Sequence, residues 1–476
     1  MTSHLSPLLT DLYQLTMAYG YWQLNMHEQE AAFHLLFRKN PFKGNYALCC
    51  GLLSIVDFLQ SWQFKQDDLD YLSTLKNRHE EPLFPTPFLD YLSQLKFSCD
   101  IDAIPEGTIV FPHEPLLRIE GPILQCQLLE SPLLNIMNFQ TLIATKASRV
   151  CQAAGGDPVI EFGMRRAQGP DGALSASRAS YIGGCVATSN TLAGKLFDIP
   201  VKGTHAHSWV TAFENEKAAF SAYANVMPHH CVLLVDTYHT LTGVKNAIEI
   251  GKQLRKEGAD LIAVRLDSGD MSTLSIESRK LLDEAGFEKT GILASNSLDE
   301  YVIHDFKQKG AKISSWGVGT HLATAFDQPA LDGVYKLSAL KNKRGQWEYK
   351  LKLSEQAIKV SNPGRHQVRR FFYNNQYIID VIYDLSLGIS DTPDAIVLDQ
   401  AMQTKKLDDV DAFVDLLEPV FKKGKYVAEK KSIHHIRDKA IAEIKHFYQT
   451  HEQRVYSVGL EKNLYELKQQ LIKQLK

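Results

Sequence analysis

Between about residue 157 and residue 338 the chain alternates short apolar, β-rich runs with segments of helical period, and this alternation limits the possible folds more than any other feature. The runs are PVIEFG, IPVKGT, CVLLVDT, LIAVRLDSGD, TGILASN and KISSWGVGT. Strands separated by whole helices return to the same end of a sheet and therefore pair in parallel. Their apolar character is continuous, so both faces of each strand must be covered. One connecting segment, LTGVKNAIEIGKQLRKEG, places Val244, Ala247, Ile248, Gly251 and Leu254 on a single face and stops at Gly258. Another, SIESRKLLDEAGF, offers Ser275 as a cap and Gly286 as a terminator. The helix expected after IPVKGT is SWVTAFENEKAAFSAYANV. The expected class is α/β, with these segments forming an irregular parallel α/β barrel.

The two ends of the chain read differently. Residues 1–130 mix helical segments with β-rich runs cut by Pro and Gly, and VYKLSAL, WEYKLKL and RRFFYNNQYIIDVIYDL bring strands back after the barrel. The expected division is 1–130 as the N-terminal part of a sandwich and 131–338 as the barrel. Residues 339–404 follow as returning strands that complete an α+β sandwich, and 405–476 as a helical C-terminal extension. The barrel segment should open on a long buried helix, with Ser131 as its cap and Pro132 at its first position.

A hydrophobic fraction of 44% is enough to fill such cores, while 22% charged residues and a formal net charge of −3 leave no global basic field. Nucleic acid and anionic membranes are therefore not expected partners, and any polyanionic ligand must be held by local donors. The basic stretches KKGK and EKK read as solvated faces, and His434 and His435 have no obvious metal-ligand companions. Cys49, Cys50, Cys99, Cys126, Cys151, Cys185 and Cys231 form no C-x-x-C pair, and an odd number of scattered thiols suits a reducing cytoplasm. The N-terminus lacks a basic leader, and no apolar stretch reaches the ~20 residues that span a bilayer.

Each barrel run is apolar where it begins and polar or Gly-rich where it ends, at 161–166, 203–208, 236–237, 265–270, 295–296 and 317–320. In a parallel barrel the carboxyl ends of all strands open on one rim, so these clusters should converge on one site. Arg165 and Arg166 would stand there as paired guanidiniums able to grip a planar carboxylate or phosphate, or else as a surface pair bridging neighbouring acids. Arg265, Asp267, Gly269 and Asp270 suit either a ribose diol with a hydrated Mg2+ or an Asp-capped turn. Ser295 and Asn296 end one strand, and Gly317, Gly319 and Thr320 form a turn whose N–H groups could cradle a phosphate. In VKGTHAHSWV, His207 falls at a helix start, where backbone donors favour a phosphoryl group on an imidazole; the alternative is two ordinary loop histidines.

TDLYQLTM, EFGMRRAQGPDGALSASRASYIGG, VKGTHAHSWV, VRLDSGD, SNSLDE and WGVGTHL together resemble the nicotinate phosphoribosyltransferases, in the expected order from Thr10 to about Arg370. The resemblance implies a type II phosphoribosyltransferase fold and the condensation of nicotinate with phosphoribosyl pyrophosphate, coupled to ATP hydrolysis through a phosphohistidine. The family pattern G-T-x-x-H-S sets that residue at His207 and leaves His205 at a variable position. It implies nicotinate contacts from Phe162, Gly163, Arg165 and Thr204, and from Tyr13, which in related dimers reaches over from the neighbouring subunit. KVSNPGRHQVRR resembles the late segment that touches the phosphoribosyl substrate, which implicates Lys359 and Ser361; Ser361 and Arg365 keep the hydroxyl and the cation of the more usual Thr and Lys. Mg2+ as cofactor, ATP as co-substrate, a homodimer with active sites near its interface and a role in NAD salvage are further implications. The competing readings are a nicotinamide-specific enzyme of the same fold, a quinolinate enzyme, and a non-catalytic barrel that binds sugar phosphates.

Overall fold

Six strands of the computed structural model, which describes residues 6–355, 359–398, 402–451 and 456–475, form one parallel sheet. Their order is Ala187–Thr188, Val159–Glu161, Ser315–Val318, Gly291–Ser295, Ala263–Leu266 and Val232–Leu234. All five pairings are parallel, as helical connections require. Five of the expected runs form these strands. IPVKGT does not: it contributes one bridge, Val201 to Thr188, because Pro200 has no N–H to donate and its carbonyl is taken by the Thr188 N–H. The strand at Ala187–Thr188 was too short, at two residues, to stand out as a run.

The period of two decides what each strand residue does. Val159, Leu233, Val235, Val264, Leu266, Ile292, Ala294, Trp316 and Val318 face one way into a large buried cluster with the covering helices. Ile160, Ala187 and Leu293 face the other way, with Phe162 packed against them. Arg265, Ser295 and Gly317 share that second parity, so the residues with polar or missing side chains point inward at the strand ends.

The covering helix Thr240–Lys256 buries Val244, Ala247, Ile248, Gly251 and Leu254 and ends with Gly258 at φ 80°. Helix Met271–Glu284 is capped by Asp270, not by Ser275. Ser275 lies inside it, fully buried, donating to the Ser272 carbonyl and accepting from the Lys312 N–H at 3.0 Å. The single helix expected after residue 207 is two, His207–Thr211 and Glu216–Val226, because the Asn215 side chain accepts from the Ala218 N–H and starts a new helix.

The chain divides into two compact units, residues 143–329 and residues 1–142 with 330–476. The first division falls inside the helix Glu130–Ala154, which follows Ile123–Leu128 so closely that no cap is needed at Ser131. The Ser131 hydroxyl instead donates to Asp11 and accepts from Gln14. The second unit carries a seven-stranded sheet of Glu30–Phe37, Asp100–Ala103, Pro115–Pro122, Gly333–Lys341, Trp347–Tyr349, Glu418–Lys422 and Lys425–Tyr426. Both ends of the chain thus build one sheet. A six-stranded sheet of the same unit pairs Gln376–Asp384 with His366–Tyr373 and with Val458–Glu461. Residues 405–476 are not helical throughout: helices Ile433–His451 and Lys462–Leu475 alternate with strands, since alternating residues such as Val420 and Leu460 complete these two sheets.

Candidate active site

A cavity of about 460 Å³ opens at the carboxyl ends of the parallel strands, and every residue around it belongs to the unit 143–329. That size suits a small ligand. Phe162, Arg165 and Arg166 line it from the first strand end, Thr204 and His207 from the next loop, and Arg265 and Asp267 from a third. Ser295, Asn296, Gly317, Gly319 and Thr320 complete it, along with Met164, Ser189, Gly203, Ala206, Leu234 and Ser297. The convergence expected from strand-end polarity is thus realised by strand parity and parallel pairing.

Arg265 organises the rim. Its Nε donates to the Ser295 hydroxyl at 2.8 Å, one terminal nitrogen to the Thr204 hydroxyl at 3.0 Å and the other to Asp267 Oδ1 at 2.8 Å. Three loops are therefore tied through one planar fork. Burial pushes the Asp267 carboxyl up, but the Ser295 hydroxyl and the Arg265 guanidinium outweigh it and hold the group below its ordinary range. The ion pair accordingly stabilises the fold fully above the unfolded pKa of ~4 and is lost as the pH falls through the lower native value. Asp267→Asn should flatten the acid limb of the stability profile below about pH 4, as read by urea unfolding across pH; an unchanged limb would count against this tie.

His207 is half exposed, with Nδ1 at 3.1 Å from the Thr237 hydroxyl and Nε2 facing Asp267 Oδ2 at 3.5 Å. Helix His207–Thr211 has only five residues, so its dipole contributes little. Thr237 and Asp267 orient the imidazole instead. Asp236 supports this arrangement by accepting from the Asp267 N–H at 2.9 Å and the Ser268 hydroxyl at 2.6 Å through one oxygen. Its other oxygen is buried and without a partner among the described residues.

Two glycines are dictated by close approach. A Cβ at Gly317 would meet the Phe162 ring at 2.6 Å, and one at Gly163 would lie 2.8 Å from the Gly319 carbonyl oxygen. Phe162 thus packs closely against bare backbone, with the Arg265 guanidinium 5.7 Å from its ring centre. Beneath it the Glu161 carboxylate is buried, accepting from the Gly163 N–H, Ser177 at 2.9 Å and Thr188 at 2.6 Å. Arg165 and Arg166 are exposed on the turn Met164–Arg166, and neither has an ion-pair partner among the described residues.

Gly163, Gly269 and Asp270 do not line the cavity. Asp270 is spent on its helix, accepting from the Thr273 N–H and hydroxyl. Tyr13, Lys359 and Ser361 belong to the other compact unit. Tyr13 is exposed on helix Leu12–Gln23, and the Ser361 hydroxyl accepts from the Lys352 N–H at 2.9 Å. Asp236 and Thr237 were visible in the sequence only as a polar strand end, and nothing there singled them out as support for His207.

Unpaired guanidiniums, a carboxylate-backed imidazole and Gly-rich turns thus share one rim at the carboxyl ends of the parallel strands of an α/β protein. The chain belongs to the nicotinate phosphoribosyltransferase family. It matches that family's N-terminal domain over residues 8–138, the family proper over 158–363 and its C-terminal domain over 365–468. It is 44% identical to nicotinate phosphoribosyltransferase from Bacillus subtilis over 371 residues, covering 78% of this chain and 74% of that protein. Against the human protein of that name the identity is 36% over 414 residues, covering 75% of each. The crystal structure of human nicotinic acid phosphoribosyltransferase superimposes with a TM-score of 0.85 at 29% identity, covering 97% of this chain and 99% of that one. Nicotinate-nucleotide pyrophosphorylase from Pyrococcus furiosus shares the fold, with a TM-score of 0.69 at 22% identity over 92% and 95% of the two chains.

Proposed function

We propose that this chain condenses nicotinate with phosphoribosyl pyrophosphate to give nicotinate mononucleotide and pyrophosphate, a salvage step in NAD biosynthesis, and drives the reaction with ATP through phosphorylation of His207. The single observation that carries the reading is the rim itself: an oriented imidazole and two unpaired guanidiniums share one cavity with an aromatic platform.

The chemistry follows from those groups. In the coupling step an imidazole nitrogen of His207 attacks the γ-phosphorus of ATP as the bond to the ADP oxygen breaks. Hydrolysis of the phosphorus–nitrogen bond by water later returns phosphate and the free imidazole. In the transfer step the pyridine nitrogen bonds to the sugar C1 as the C1–oxygen bond to pyrophosphate breaks, so negative charge grows on the leaving oxygens. Cations on the rim stabilise that charge, and the Phe162 face holds the flat pyridine in line. Phosphorylation adds ~1.5–2 negative charges beside Arg265 and the loops it ties.

Mg2+ fits this site. No cluster of three His, Cys, Asp or Glu occurs among the described residues, and Mg2+ characteristically takes only one or two protein carboxylates together with phosphate oxygens. Asp267, which lines the cavity, would supply a carboxylate to it. Bound there, it would neutralise phosphate charge.

Leu12, Tyr13 and Met17 are exposed on one face of helix Leu12–Gln23, a surface suited to a second copy of the chain. No helix among the described residues is long and apolar enough to cross a membrane, and a cytoplasmic setting suits seven free thiols. The test is turnover of nicotinate against nicotinamide with phosphoribosyl pyrophosphate, with and without ATP. Nicotinate should be preferred and ATP should stimulate; preference for nicotinamide would move the chain to the competing specificity, and no turnover of either would favour a binding protein.

A further inference from the structure

His205 occupies the position that the family pattern leaves variable, and it is not among the residues around the cavity. Its surroundings nevertheless give it a definite task. From residue 205 onward alternate side chains turn opposite ways. His205 and Trp209 turn onto helix Glu216–Val226, while His207 between them stays half exposed at the cavity. The buried His205 ring meets Tyr223 edge-on with centres 4.8 Å apart. Trp209 packs on the same Tyr223 at 5.8 Å and donates its Nε1–H to the Ala219 carbonyl at 3.0 Å.

The decisive contact lies on the other side of the ring. Strand Val232–Leu234 ends the parallel ladder, and the N–H of Val235 turns toward its one neighbour, donating to the Arg265 carbonyl at 3.2 Å. Since successive N–H groups alternate, that of Leu234 points away from the sheet, toward the seam where no strand of the ladder follows. His205 Nε2 accepts it at 3.2 Å. The segment that bridges to Thr188 at one edge is thereby bonded to the strand at the opposite edge. Accepting at Nε2 requires the neutral ring, and burial, together with the positive Arg265 and the neighbouring His207, lowers the tendency of His205 to take up a second proton.

We propose that His205 is a positioning residue for the phosphorylation of His207: by accepting the Leu234 N–H it closes the barrel seam and fixes the base of the loop that presents the phosphoacceptor. The proposal rests on His207 being that phosphoacceptor. A shift of about 1 Å in a reacting group costs on the order of a hundredfold in rate, so a partial release of the loop should be visible.

Three substitutions separate the acceptor from the packing. His205→Phe keeps a ring against Tyr223 and has no acceptor; His205→Gln carries an amide oxygen near the place of Nε2; His205→Asn is too short to reach. The initial rate of acid-labile phosphate incorporation from γ-labelled ATP should fall about tenfold in the Phe and Asn variants and stay within about twofold of the unsubstituted enzyme in Gln. The ratio of nucleotide formation with ATP to that without should follow the same order, and this ratio is independent of how much of each variant is folded. Wild-type labelling and stimulation in His205→Phe would overturn the proposal, as would equal losses in all three variants, which would assign the effect to packing. An unlabelled wild-type protein would overturn the phosphohistidine reading itself and this inference with it.

Discussion

Replacing His207 by alanine is expected to eliminate acid-labile phosphate incorporation from ATP and to lower substrate-dependent ATP hydrolysis by at least ~10³-fold, while a slow ATP-independent condensation remains. The asymmetry comes from what the side chain touches. His207 contacts Thr237 and faces Asp267, whereas Arg265, Ser295 and Thr204 are bonded to one another without it. Its removal therefore takes away a nucleophile and leaves the mutual ties of the rim in place. Asp267 keeps its bonds to Arg265 and Ser295. Mass spectrometry of the labelled wild-type protein locates the phosphate, and coupled assays of ADP and nucleotide formation give the two rates. An alanine variant that still hydrolyses ATP in the presence of both substrates would refute the assignment of His207 as phosphoacceptor.

The parallel sheet with its covering helices was legible because three signals agreed: helical spacers between apolar runs, continuous hydrophobicity along each run, and polarity confined to the run ends. Those signals are local, and each reflects a requirement of parallel pairing. What escaped was decided by partners distant in sequence. Ser275 looks like a cap in isolation, but Asp270 reaches the Thr273 N–H first, and the Ser275 hydroxyl is then used 37 residues away at Lys312. IPVKGT has strand composition, yet its proline removes a donor and leaves a single bridge. The same holds in the site. Phe162, Arg265, Ser295 and Gly317 follow from strand parity, which a period of two already contains. Asp236 and Thr237 gain their roles only because one strand end lies beside two others, and His205 only because the ladder stops at Leu234. Asp270 shows the opposite case, a carboxylate of the right type at a strand end that its own helix consumes.

Removing the charge at Arg165 is expected to change which pyridine the enzyme accepts. Arg165 and Arg166 stand side by side on a short turn with no carboxylate bound to either among the described residues, so their guanidiniums are available to a ligand. The family resemblance assigns Arg165 to the nicotinate carboxylate, and a charge-assisted hydrogen bond of this kind contributes about 2–3 kcal/mol. Arg165→Met should therefore lower kcat/KM for nicotinate by about 30- to 150-fold and leave the turnover of nicotinamide nearly unchanged, because an uncharged amide does not draw on the full ion pair. Arg165→Lys should recover part of the loss, since it restores the charge without the planar fork that matches a carboxylate bidentately. Arg166→Met should act instead on the KM for phosphoribosyl pyrophosphate. Steady-state kinetics with each substrate varied in turn separates the two residues. Equal losses for nicotinate and nicotinamide in Arg165→Met would show that the side chain supports the turn Met164–Arg166 and the Phe162 platform, with no direct part in recognising the acid.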